Sequence, residues 1–136
     1  MSGIQGVIES CLHVEDLARS RVFYETACGF ETMLADDRFC AMSVAGRQVF
    51  LLFKKDATGE PVTIPGGVIP PHDGQGRLHV AFSIDSDSFE EWKARVARHT
   101  PIESIVEWPL GGRSIYFRDP DQHCVELVTP GVWPNY

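Results

Sequence analysis

The chain is short of positive charge. Lys and Arg number 12 against 19 Asp and Glu, leaving a formal net charge of −7. Phosphate backbones need a basic footprint, and no Lys/Arg cluster supplies one, so nucleic acid is excluded as a partner. No apolar run approaches the ~20 residues of a membrane-crossing helix, so no membrane partner is expected. The opening MSGIQGVIES lacks the charged n-region and apolar h-region of a secretory signal, and a cytoplasmic location is expected. Cys11, Cys28, Cys40 and Cys124 form no C-x-x-C pair. That argues against a zinc knuckle or a thioredoxin-like motif. Each lies in or beside an apolar run, so small buried thiols in a reducing compartment are expected.

What is present describes an ordinary globular chain. Its 136 residues, 43% hydrophobic and 23% charged, fit one domain over 1–136 that can bury a core without staples. VIESCLHV (7–14) reads as a strand. Asp16 is placed to cap a helix over LARSRVFYETAC, and Gly29 to end it. FETMLADD reads as a strand and a turn; RFCAMSVAG and RQVFLLFKK read as two strands joined near Gly46. The stretch 56–76 is punctuated by Pro and Gly and reads as a long loop, either a plain connector or one lying over a pocket. The pattern then restarts. LHVAFSI is a strand, Ser88 and Glu91 match a capping box, and Phe89, Trp92 and Val96 share a helical face. IESIVEWP is a strand, and GGRSIYFRDPDQHCVELVTP is two strands around a DPDQ turn.

The order is therefore β-α-β-β-β, loop, β-α-β-β-β, an internal repeat. Module one spans about 6–55, the loop about 56–76 and module two about 77–130. Glu9 heads the first strand as His79 heads the fifth, and aligning VFLLF with CVELV sets Leu51 against Glu126. The expected fold class is α+β, with two tandem βαβββ modules forming curved mixed sheets around a cleft.

Here the chain resembles the vicinal oxygen chelate superfamily, the glyoxalase, bleomycin resistance and extradiol dioxygenase group. VEDLARSRVFYETACGF, LHVAFSI and RSIYFRDPDQHCVEL carry the resemblance, with FRDPDQHCVEL the most specific piece; together they span about residues 6 to 130. The resemblance implies a metal site built from strand positions that fall here on Glu9, Leu51, His79 and Glu126, of which Leu51 cannot ligate. It also implies a homodimer, with each cleft completed either within one chain or by the partner.

The residue types suit that chemistry. An open divalent site needs two or three ligands and free positions for substrate. Burying Glu9 and Glu126 among apolar strands without a cation is costly. Two carboxylates and a neutral imidazole cancel a 2+ charge, which favours Mn or Mg relative to a two-histidine site, with Fe, Ni and Zn also open. Glu9 is either a ligand or a general base beside the metal. Without a metal, Glu126 could instead pair with Arg113 or Arg38, and Glu9 with His79. His13 and His123 read as surface residues or as residues behind the ligands. Arg113, Ser114 and Tyr116 are candidate pocket residues, the first for a carboxylate or phosphonate.

Two functions follow. One is a metal-dependent enzyme of lyase, isomerase or dioxygenase type acting on a small oxygen-rich substrate, with Glu9 and Glu126 as its catalytic carboxylates. The other is a metal-free drug-sequestering binder using Trp92, Trp108, Trp133 and Phe39. Thiol transfer to a phosphonate antibiotic needs a more cationic floor than this chain offers.

Overall fold

A computed structural model describes residue 1 and residues 3–136 of the chain. By internal packing the chain divides into two compact units: Met1–Glu25 with Gly29–Gln75, and Thr26–Cys28 with Gly76–Tyr136.

The first unit runs β1 (Glu9–Val14), α1 (Leu17–Phe23), β2 (Glu31–Ala35), β3 (Phe39–Val44) and β4 (Gln48–Lys54). Its sheet has the order β1-β4-β3-β2, with β1 parallel to β4 and the other pairs antiparallel. Asp16 caps α1 as its residue type predicts, accepting from the Arg19 N–H at 3.0 Å. After Phe23 the helix widens into a π turn over Tyr24–Cys28 and stops at Gly29, whose φ of 72° is left-handed. Ala45 and Gly46, both at positive φ, make the tight turn between β3 and β4. Strand alternation sends Leu12, Val14, Met42, Phe50 and Leu52 to one side of the sheet, where all are buried. Tyr24 packs edge-on against Phe50 there, with ring centroids 4.8 Å apart.

The stretch 56–76 is more than a loop. It holds a small antiparallel hairpin, β5 (Val62–Ile64) and β6 (Gly67–Ile69). Each of its strands is three residues long, because Pro61, Pro65 and Pro70 bound them. The same stretch covers His13, which rules out a surface position, one of the two expected: that side chain is buried. The Thr58 hydroxyl donates to the His72 carbonyl at 2.6 Å. Its oxygen then accepts from His13 Nε2–H at 3.2 Å.

The second unit repeats the plan: β7 (His79–Ser83), α2 (Phe89–Ala97), β8 (Ile102–Glu107), β9 (Arg113–Arg118) and β10 (Cys124–Val128). The sheet order is β7-β10-β9-β8, with β7 parallel to β10. The fold class is α+β with two βαβββ modules, each a mixed sheet with one helix. Phe89, Val96, Ile115, Phe117, Val125 and Leu127 form the second core.

Three local expectations need correction. Ser88 makes no side-chain cap on α2. A 3₁₀ turn over Ser86–Ser88 leads into the helix, and Ser88 already sits at the end of that turn, its N–H bonded to the Asp85 carbonyl. His123 is buried, not a surface turn residue: its Nδ1 accepts from the Leu78 N–H at 2.9 Å and its own N–H donates to Asp119. Of the four thiols, all free, Cys28 and Cys40 are buried, Cys124 is half-buried and Cys11 is exposed. Burial pushes the Cys28 pKa up to about 12, so that thiol is chemically inert.

Candidate metal-binding site

The register of the two parallel strand pairs positions the candidate residues. In the second unit His79 lies opposite Cys124, and Glu126 lies two residues further along β10. In the first unit Glu9 lies opposite Val49, and Leu51 lies two residues further along β4. Glu9 and His79 are thus equivalent places of a repeat, as are Leu51 and Glu126.

His79 and Glu126 meet. Imidazole Nε2 lies 3.2 Å from carboxylate Oε2, with the His79 side chain 52% exposed and that of Glu126 9%. His79 Nδ1 lies 2.9 Å from the Cys124 carbonyl oxygen. A carbonyl only accepts, so Nδ1 carries the proton and Nε2 of the neutral ring carries the lone pair. That lone pair faces a carboxylate oxygen. Two acceptors this close need something positive between them, a proton or a metal cation. Histidine ligands are held in this way, one nitrogen tied to a carbonyl and the other free to coordinate.

The carboxylate is held from its other side. Glu126 Oε1 accepts from the Ser114 hydroxyl at 2.5 Å. The Ser114 oxygen accepts from the Trp108 indole N–H at 2.8 Å. Tyr116 lies opposite Glu126 in the β9–β10 register and stacks beside His79, with ring centroids 6.2 Å apart. Burial raises the Tyr116 pKa and the neighbouring Glu126 carboxylate raises it further, against a smaller opposing effect of Ser114. The phenol therefore stays a hydrogen-bond donor at neutral pH.

Ser114, Tyr116, His79 and Glu126 are thus brought together, on the sheet face away from α2. Arg113 is placed elsewhere. Alternation turns it to the α2 side, where its guanidinium lies 3.8 Å over the Phe89 ring and 3.1 Å from Glu90. Arg38 donates to the Ala57 carbonyl. Glu9 is exposed at the head of β1, which corrects the expectation that it is buried; the cost of burying a carboxylate without a cation does not apply to it. Partial desolvation of its thiol and then the Glu9 charge raise the pKa of Cys11, two residues along the same face. Among the described residues no three His, Cys, Asp or Glu side chains are grouped to hold a metal ion. The donor set in the second unit still fits one, because a tautomer-fixed imidazole and an anchored carboxylate supply two ligands. Trp108 was not legible as part of this site. Its only signal is an indole just beyond β8, six residues before the Ser114 that it reaches.

The doubled βαβββ unit, with His at the head of one parallel strand and Glu inside its neighbour, defines a class of two-module α+β proteins. The chain belongs to the Glyoxalase/Bleomycin resistance protein/Dioxygenase superfamily, whose family model matches residues 7–127. It is 27% identical to the metallothiol transferase FosB of Lysinibacillus sphaericus over 135 residues, covering 93% of this chain and 83% of that one. FosB of Staphylococcus epidermidis is 26% identical over 129 residues, with 93% of this chain and 82% of that one covered. Among solved structures, lactoylglutathione lyase from Agrobacterium tumefaciens superposes with a TM-score of 0.87 at 28% identity, covering 98% of this chain and 99% of that one.

Proposed function

We propose that this chain is a divalent-metal-dependent enzyme that chelates a small, oxygen-rich substrate and moves a proton, in a reaction of lyase or isomerase type. The observation that carries this reading is the placement of His79, with Nδ1 2.9 Å from the Cys124 carbonyl oxygen and Nε2 3.2 Å from Glu126 Oε2. The relatives' names support separate parts of it: the metallothiol transferases a metal-dependent enzyme, and lactoylglutathione lyase, alike in structure, the lyase type.

His79 and Glu126 hold the cation, and Glu9 is the second carboxylate, as a ligand or as the base. Bound there, a divalent ion (Mn, Fe, Ni, Zn or Mg) supplies Lewis acidity towards substrate oxygens. Tyr116, whose phenol donates to the Glu126 carboxylate, and Ser114 keep Glu126 in place. Arg113 stays with Glu90. Two carboxylates and one neutral imidazole neutralise a 2+ ion, which favours hard ions. Glu9 and His79 stand at equivalent places of the repeat, and we assign the working form as a C₂ homodimer. The four free thiols fit the reducing cytoplasm.

The test is elemental analysis of untagged protein prepared without chelator, then titration with Mn(II), Ni(II), Zn(II) and Fe(II). One tightly held ion per chain is expected. No affinity for any of the four would sink the reading and favour a metal-free binder. Replacing Glu9 by His should raise affinity for Ni(II) or Zn(II) by about 10-fold, because imidazole suits those ions better than carboxylate does. Unchanged affinity in Glu9→His would remove Glu9 from the ligands and leave it as the base.

A further inference from the structure

We infer that Trp108 is a positioning residue for Glu126, acting through Ser114. The inference rests on the metal-site reading above and adds a residue to it.

The argument is one of proton counting. A serine hydroxyl has one proton and can donate it once. Ser114 is fully buried, so water does not compete for it. An indole N–H can only donate. With Trp108 Nε1–H donating to Ser114 Oγ at 2.8 Å, one of the hydroxyl's two lone pairs is taken and its oxygen is held towards the indole. Its single proton is then left for Glu126 Oε1, 2.5 Å away. One carboxylate oxygen is thereby anchored, and the other is aimed at His79 Nε2. Without the indole, the hydroxyl could rotate and turn its proton to the Tyr116 phenol oxygen beside it. The carboxylate would then lose its fixed orientation. Outer partners of this kind are typically worth 10–100-fold in metal affinity.

The indole is itself anchored by backbone. Trp108 opens the turn between β8 and β9, with its N–H bonded to the Gly112 carbonyl and its carbonyl accepting from Gly111. The Gly112 N–H donates to the Gly131 carbonyl in the C-terminal segment. There the two backbones approach so closely that a Cβ on Gly112 would lie 2.7 Å from the Gly131 carbonyl carbon. The turn that carries Trp108 is therefore fastened at its far end, and the indole is not free to follow a wandering serine.

The test is Mn(II) affinity of the whole protein in a double-mutant cycle. Trp108→Phe keeps the ring and removes the N–H; Ser114→Ala removes the relay. Each single variant should lose about 10-fold in affinity, and the double variant should lose no more than Ser114→Ala alone. Equal losses from Trp108→Phe in both backgrounds would mean that the tryptophan acts by packing, and would overturn the inference. So would an affinity for Trp108→Phe within about twofold of wild type. If Trp108→Phe fails to fold, the wild-type indole N–H resonance in ¹H–¹⁵N spectra decides. It should shift in Ser114→Ala and on Zn(II) addition; a resonance indifferent to both overturns the relay. A wild-type protein that takes up no Mn(II) or Zn(II) would overturn the metal-site reading and this inference with it. Intact wild-type binding with an unaffected Trp108→Phe variant would overturn the inference alone.

Discussion

Replacing His79 by Ala should lower divalent-metal affinity by more than about 100-fold, beyond the 10–100-fold typical of outer partners, while the chain stays folded. The two halves of this expectation have separate causes. Nε2 is the only imidazole lone pair facing Glu126 among the described residues, so its loss leaves a lone carboxylate in the second unit. The ring itself is half-exposed, and its single backbone tie, to the Cys124 carbonyl, lies beside a β7–β10 ladder that does not depend on it. Surface substitutions of this kind cost around 0.5 kcal/mol or less. The check is isothermal titration of the variant with Mn(II) and Zn(II), with circular dichroism and a melting curve on the same sample. Retained stoichiometric metal would mean that His79 is not a ligand. Lost metal together with a collapsed melting temperature would mean that it is structural.

Gly131→Ala should be the most destabilising small substitution in the second unit, at about 4 kcal/mol. Two costs combine. Gly131 has φ +103°, which an L side chain adopts only with strain, roughly 1–3 kcal/mol. An added Cβ would also meet the Gly112 nitrogen at 2.6 Å and the Leu110 carbonyl oxygen at 2.8 Å, both backbone atoms that cannot swing aside. Overpacking of that kind adds a further 1–3 kcal/mol or so. Gly111 provides the control. Its φ is +95°, yet a Cβ there would meet nothing within 4 Å. Gly111→Ala should therefore show the strain alone, and the difference between the two urea denaturation curves isolates the contact. Equal losses would mean that the close approach contributes nothing.

Much of the architecture was legible because it is written twice. The restart of strand, acidic cap and helix at residue 78 marks a repeat, and the β1–β4 and β7–β10 registers carry it to the residue. Glu9 and His79 stand opposite Val49 and Cys124, each two residues short of Leu51 and Glu126. The β5–β6 hairpin was hidden because proline-bounded segments of three residues have no readable periodicity. His13 and His123 looked superficial because their cover comes from distant chain: Thr58 and His72 for one, Leu78 for the other. The Trp108–Ser114 bond escapes sequence reading for the same reason, since spacing along the chain says nothing of where an indole N–H points. Arg113 is different. The period of two that groups Ser114 with Tyr116 also turns Arg113 to the opposite face, where Phe89 and Glu90 receive it.

The chain does not pass from one unit to the other at a single joint. Residues Thr26–Cys28, in the π turn after α1, cluster with the second unit, where the Arg95 guanidinium donates to the Thr26 carbonyl at 3.1 and 3.0 Å. Cutting the polypeptide in the stretch 56–76 would therefore not yield two self-contained halves. The N-terminal fragment would carry away three residues that the C-terminal fragment packs into its own structure, leaving Arg95 without its acceptor. The second unit is therefore not one continuous stretch of chain. Producing the second unit alone would require rebuilding that splice as well as severing the connector.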